Sequence, residues 1–309
     1  MNKKNVLTVK NLNKTYQKKG SNPVTAIENL NLSVQQGEIF GLLGPNGAGK
    51  TTFINILSGS VMKTSGFVEV WGFNLDKNPR QVRASIGIVA QDVNLDPFFT
   101  PESLLDLQAG LYGIKKKDRI TSKILNLVSL EKQAKSYARS LSGGMKRRLM
   151  VAKSLVHQPP IIILDEPTAG VDVELRQNLW KNVKTLNQEG VTIILTTHYL
   201  EEAEKMCDRI GILNKGNLVA LDTTQKLLEK IQIKKISIKV NKRVNINENK
   251  FKTLKIVSST NNEINLSYDK NELKIDQIIK LIEENGARII DLSTDDGDLE
   301  DVFLSLTKN

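Results

Sequence analysis

The stretch GPNGAGKTT, Gly44 to Thr52, decides how the chain reads. It fits the pattern G-x-x-x-x-G-K-[ST] and stands between an apolar run, IFGLL, and a helix-period segment, KTTFINILSG. A strand before and a helix after is the context a phosphate-binding turn requires. Its glycines let backbone N–H groups converge on phosphate oxygens, and the N-terminus of the following helix adds a partial positive charge. Gly44, Pro45, Asn46, Gly47, Ala48, Gly49, Lys50, Thr51 and Thr52 are therefore expected to contact a nucleotide. Lys50 is expected to reach its β and γ phosphates, and Thr51 to place a hydroxyl on Mg²⁺.

Outward from that turn, short apolar strands alternate with helix-period segments as far as about Lys230, the pattern of an α/β layered domain. VLTVK reads as a strand, NLNLSVQQGEIFGLLG as two joined at Gln-Gln-Gly, and FVEVWG and SIGIVAQ as two more. A largely helical stretch from about 100 to 157 interrupts the alternation like an inserted lobe. IIILDE, Ile161 to Glu166, follows: four apolar residues and two carboxylates suggest a strand buried on both faces, with its acids emerging beside the nucleotide. Asp165 is expected to hold Mg²⁺ through water, and Glu166 to polarise the water that attacks the γ phosphate. VTIILTTH is a second such strand, and RIGILNKGNLVALD reads as a hairpin turning at Lys215-Gly216.

Beyond Lys230 the texture changes. ISIKV and EINLSY alternate as strands, LKIDQIIKLIEE has helical period, ARIIDLS reads as a strand and LEDVFLSL as a helix. The expected organisation is an α/β domain over residues 1–230 and a small α+β accessory domain over 231–309.

Composition narrows the classes. A chain of 309 residues can bury a full core, and its one cysteine, Cys207, allows no intramolecular disulfide, which fits a reducing cytosol. The N-terminus MNKKNVLTVK lacks the apolar run of a signal peptide, and no stretch approaches the roughly 20 apolar residues of a spanning helix. The chain is expected to be soluble by itself. From Ile231 onward, basic and acidic residues balance at 13 each, so the whole net charge of +10 lies before it. An anionic ligand, nucleic acid, an anionic membrane surface or a merely solvated surface could each account for that.

LSGGMKRRLM, Leu141 to Met150, looks like a second phosphate-binding turn. Ser142 reads as a helix N-cap, and Gly143 and Gly144 leave the backbone open to close approach. One nucleotide on one turn has no need of another. A dimer does, because each copy can present its second turn to the nucleotide held by the other.

With these motifs in this order, residues 6 to 225 resemble the ATP-binding subunits of ATP-binding cassette (ABC) transporters. The implied fold is a P-loop NTPase cassette, a mixed sheet core with a helical subdomain. Leu141, Ser142, Gly143, Gly144 and Met145 match that family's signature LSGGQ, with Met145 in place of the usual Gln, and the resemblance implies a head-to-tail homodimer closing over ATP. It further implies that Tyr16 stacks on adenine. Gln91 would touch Mg²⁺ and the attacking water and connect the site to a membrane subunit. Asp172 would face the partner copy, and His198 would contact the γ phosphate. His157 matches no chemical position and reads as structural.

LSGGM followed by Lys-Arg-Arg, together with the C-terminal LEDVFLSLT, is similar to the branch paired with ABC-2 type exporters, which includes daunorubicin-resistance pumps, sodium exporters and bacteriocin-immunity exporters. The resemblance implies an ATPase that drives export through a separate membrane-spanning permease, with ATP and Mg²⁺ as cofactors. Its implied place is the cytoplasm, peripheral on the cytoplasmic face of the membrane. An importer ATPase is the near rival. An ABC ATPase acting on ribosomes or nucleic acid is the far one, and no nucleic-acid partner is expected, because the doubled cassettes or long coiled coil of those types are not in the sequence. A regulatory binder that never hydrolyses ATP would have no use for Glu166.

Overall fold

The computed structural model describes residues 4–17, 20, 22–168, 173–244, 253–295 and 297–307. They fall into two compact units, Met1–Thr223 and Thr224–Asn309. The division lies ahead of the helix containing LLEK, which the sequence reading assigns to the first domain.

Two sheets build the first unit. Long strands β1 (Asn5–Tyr16) and β2 (Val24–Gln35) pair antiparallel, and β1 pairs on its other side with β4 (Ser65–Val70), which pairs in turn with β5 (Phe73–Asn74). The second sheet has six strands in the order β10-β9-β3-β8-β7-β6: β10 (Asn217–Thr223), β9 (Arg209–Asn214), β3 (Ile39–Leu43), β8 (Thr192–Thr197), β7 (Ile161–Asp165) and β6 (Ile86–Val89). All its pairs are parallel except β10 on β9. Every residue of β3, β7 and β8 is buried. That is why these strands read as continuous apolar runs without alternation.

The turn after Gln35 does more than join two strands. It carries the chain from the antiparallel sheet into the parallel one, since β2 and β3 share no ladder. Glu38, almost fully buried, fixes this step: its carboxylate accepts from the Gln35 N–H (2.7 Å) and from Arg209 Nη1 (3.1 Å). The two sheets share one apolar core with helix α1 (Lys50–Ser58), which contributes Phe53, Ile54, Ile56 and Leu57. Gly59 ends α1 in a left-handed conformation (φ 78°), its N–H donating to the Ile56 carbonyl at 3.1 Å.

Short α2 (Pro79–Ala84) precedes β6. The helical lobe then holds α3 (Pro101–Leu111), α4 (Thr121–Leu127) and α5 (Gly143–Leu155). Thr100 and Ser103 form a reciprocal capping box at the start of α3, with Pro101 in its first turn. Helices α6 (Val173–Gln188) and α7 (Leu200–Met206) flank β8 in sequence. The hairpin of β9 and β10 turns at Lys215 (φ 47°) and Gly216 (φ 83°), as a two-residue turn with two positive φ values requires.

The second unit runs α8 (Thr224–Glu229), β11 (Ile233–Val240), β12 (Lys255–Ser259), β13 (Glu263–Asp269), α9 (Ile275–Glu284), β14 (Ile289–Asp295) and α10 (Leu299–Thr307). Its four strands are antiparallel in the order β12-β13-β11-β14. Ile236, Ile238 and Val240 of β11 alternate inward with Ile264, Leu266 and Tyr268 of β13, and α9 closes that face with Ile278, Leu281 and Ile282. One covered face gives the period-two pattern visible in ISIKV and EINLSY.

Candidate active site

Between β3 and α1 the turn from Gly44 to Gly49 is shaped by close approaches. A Cβ on Gly44 would lie 2.4 Å from the Leu213 carbonyl oxygen, and one on Gly49, at φ 108°, 2.5 Å from that of Ala26. Only glycine fits at either place. Lys50 folds back beneath the turn, Nζ donating to the carbonyls of Gly44 (2.6 Å) and Pro45 (3.2 Å). Burial lowers its pKa, opposed by the nearby carboxylates of Glu166 and Asp165. Among the described residues no side chain caps α1, which leaves N–H groups of its first turn available to a ligand. Tyr16, at the end of β1, has its hydroxyl 3.5 Å from Thr52 Oγ1 and Lys14 Nζ 4.6 Å from its ring centroid.

At the end of β7 the backbone changes hand. Glu166 has φ 45°, a left-handed conformation uncommon for any residue but glycine. Its N–H donates to the Thr196 carbonyl at 3.0 Å, which holds it there. Asp165 Oδ1 accepts from the Thr196 hydroxyl at 2.5 Å; burial raises the Asp165 pKa, and this hydrogen bond opposes the rise. Glu166 Oε2 gathers two more groups. Gln91 Nε2 donates to it at 3.1 Å, and His198 Nδ1 stands 3.2 Å away. The His198 ring is tilted against Tyr199, over which the Arg176 guanidinium lies at 4.9 Å.

The turn and this trio open into one cavity of about 740 Å³, lined by Ala26, the stretch from Asn46 to Thr52, Gln91, Glu166 and His198. Three groups read from separate places in the sequence thus converge beside Lys50. The second turn does not join them. Ser142 caps α5, its Oγ accepting from the Met145 N–H at 3.3 Å, and Gly143 is exposed with no atom near where a Cβ would stand. None of Leu141 to Met145 lines the cavity. Asp172 lies outside the described residues.

Sequence reasoning passed over Thr196, which meets both Asp165 and Glu166, and Arg147, whose guanidinium lies behind the site. The signal for Arg147 was present: Gly144, Arg147 and Val151 fall on one buried stripe of α5, so one member of the Lys-Arg-Arg run sits at a core position.

A parallel sheet whose β3 feeds a glycine turn and helix, with Asp165 and Glu166 at the end of β7, defines an α/β nucleotide-binding protein of the P-loop class. The family model described as ABC transporter matches residues 27–169. The linearmycin resistance ATP-binding protein of Bacillus subtilis (strain 168) is 33% identical over 98% of this chain and 98% of its own length. Nod factor export ATP-binding protein I of Ralstonia nicotianae is 37% identical over 72% of this chain and 68% of its own. Among solved structures, an ATP-binding subunit of an ABC transporter superposes with a TM-score of 0.65 at 29% identity, covering 73% of this chain and 92% of that one. A dimeric, post-hydrolysis cassette with ADP and Pi bound gives 0.63 at 28% identity, over 71% and 98%. The chain belongs to the ATP-binding subunits of ABC transporters, and it is an ATPase of that family. No helix among the described residues is long and apolar enough to cross a membrane.

Proposed function

We propose that this subunit drives export through a separate membrane-spanning permease, two copies closing head to tail over two ATP molecules and reopening on hydrolysis. One observation carries the reading: Gln91, Glu166 and His198 meet at the Lys50 turn, while the Ser142 turn, built like a phosphate cradle, lies outside the cavity of its own chain. A second copy gives that turn a nucleotide to cover. Export is named for the Nod factor relative, and the relative matched over 98% of both chains is named for resistance to linearmycin, which supports that direction. The work would be done at the cytoplasmic face of the membrane.

In this reading Lys50, desolvated beneath its turn, meets the β and γ phosphates and exchanges carbonyl partners for charged oxygens. Tyr16 offers its ring to the adenine. Glu166 polarises the attacking water, held in position by Gln91 and by the left-handed backbone that Thr196 fixes. His198 contacts the γ phosphate. Thr51, Asp165 and Gln91 would supply oxygens suited to a hard cation, and the described residues hold no cluster of three or more His, Cys, Asp or Glu that would cage one alone. Mg²⁺ would therefore rest on these residues and the nucleotide together, where it would neutralise phosphate charge. Residues Thr224–Asn309 would serve the same transporter as an accessory domain, and Asp172 would face the partner copy.

Glu166→Gln tests the assignment. Turnover should fall by roughly 10²–10⁴-fold, the range of a lost general base, with ATP affinity kept. Turnover at the parent rate would remove Glu166 from the chemistry.

A further inference from the structure

Arg147 has no part in the roles above, yet it is 6% exposed, and among the described residues its hydrogen bonds go to backbone carbonyls. Nε donates to Pro167 O (3.0 Å), Nη1 to Ala90 O (2.6 Å) and Gln91 O (2.8 Å), and Nη2 to Asp165 O (3.2 Å) and Glu166 O (3.1 Å). Five carbonyls from two neighbouring segments share one rigid fork of donors, an arrangement the compact ammonium of lysine cannot reproduce.

The place of the fork explains what it joins. Strands β6 and β7 pair in parallel from Ile86 with Ile161 to Val89 with Leu164, and the ladder then stops. Ala90 and Gln91 on one side, Asp165 to Pro167 on the other, are the next residues along. Where the ladder ends, the guanidinium takes over. Burial lowers its pKa, with Asp165 and Asp92 opposing, so a charge is kept here at a desolvation cost. Bare stability is poorly served by a buried charge, for which a well-packed apolar side chain often substitutes without loss. Arg147 also rides on α5, five residues beyond the Ser142 cap.

We propose that Arg147 is a positioning residue for hydrolysis. It holds the Gln91 and Glu166 segments at the spacing that lets their side chains meet, and it ties that spacing to the helix that carries the second phosphate turn. The proposal rests on the site reading given above. Its consequence is a mechanical link inside one chain: movement of the Ser142 turn against the partner copy's nucleotide reaches the catalytic carboxylate of this copy through one side chain.

The test is steady-state ATP hydrolysis by the full chain carrying Arg147→Lys, in the parent and in a Gln91→Ala background. In the parent background kcat should fall at least about tenfold while KM for MgATP stays within about twofold. In the Gln91→Ala background the same substitution should change kcat by less than about twofold, because the spacing it disturbs no longer matters. An unchanged kcat in the parent, or the same loss in both backgrounds, overturns the proposal. Arg147→Gln is read by the same criteria should the lysine variant not fold, and failure of both to fold assigns the residue to the core and equally overturns it. Glu166→Gln run alongside separates the two readings. If that variant turns over at the parent rate, the site reading itself fails; if it is inactive while Arg147→Lys is unaffected, only the positioning role fails.

Discussion

Lys50 and His157 show how burial sets the behaviour of single residues. Lys50 is held beneath its turn by two carbonyls and its pKa is lowered chiefly by desolvation. Lys50→Ala should remove measurable MgATP binding in calorimetry, and a variant binding as the parent does would contradict the phosphate-turn reading. His157 stacks on Tyr112 at 3.8 Å and 3° between planes, with Nε2 facing the Ile86 carbonyl at 3.1 Å and Nδ1 buried without a hydrogen-bond partner among the described residues. Burial lowers its pKa below the ordinary 6.5, against the opposing pull of that carbonyl. In the window between the folded and unfolded values the unfolded chain binds more protons, so this residue's contribution to stability falls as pH drops through 6.5. His157→Gln should therefore lose less melting temperature between about pH 7.5 and about pH 5.5 than the parent does. An equal loss would show that the imidazole titrates freely in the folded state. Lys50 and Glu166 could be singled out from local patterns, and His198 from the family resemblance and its order after Glu166. Arg147 was harder to single out: its spacing from Gly144 and Val151 is in the sequence, but a run of three basic residues masks it until the buried face of α5 is known.

At the scale of elements, the long strands β1 and β2 carry an unannounced device. Asn11-Leu12-Asn13 and Asn29-Leu30-Asn31 face each other across shifts in the ladder, with Asn11 and Asn29 at φ 48° and 47°. The Asn11 N–H donates to Asn31 Oδ1 and the Asn29 N–H to Asn13 Oδ1, both at 2.9 Å, so each bulge caps the other while Leu12 and Leu30 stay fully buried. Gly66 of β4 lies against this place: at φ 97°, a Cβ there would stand 2.3 Å from the Asn11 carbonyl oxygen and 2.6 Å from Leu12 Cα. Gly66→Ala should destabilise by about 2–4 kcal/mol, left-handed strain plus overpacking. Gly72→Ala, at φ 82° with nothing within 4 Å, carries the strain alone and should cost about 1–2 kcal/mol. Equal midpoint shifts for the two in urea unfolding would contradict the packing argument. The two asparagine triplets look like ordinary polar strand residues in sequence, since their meaning lies in the pairing. Strand β12 was likewise hidden: it lies at a sheet edge, is mostly exposed and shows no alternation to read.

At the scale of the whole molecule, the proposed reading makes the Lys50 turn and the Ser142 turn two halves of a shared site, which the fold keeps apart within one chain. The Lys50 turn, Gln91, Glu166 and His198 surround one cavity, and the Ser142 turn opens elsewhere. The trio could be anticipated from motif order, but the hydrogen bonds that join it, and the left-handed Glu166 that aims it, depend on β6, β7 and β8 lying side by side. That adjacency is a property of the sheet, and no single segment announces it. The most direct measurement of the account is the solution mass of the full chain carrying Glu166→Gln, by light scattering with and without saturating MgATP. The account predicts one chain without nucleotide, a pair with it, and a return to one chain when Ser142→Arg is added to block the second turn. A mass of one chain in saturating MgATP, both alone and beside its membrane partner, would contradict it.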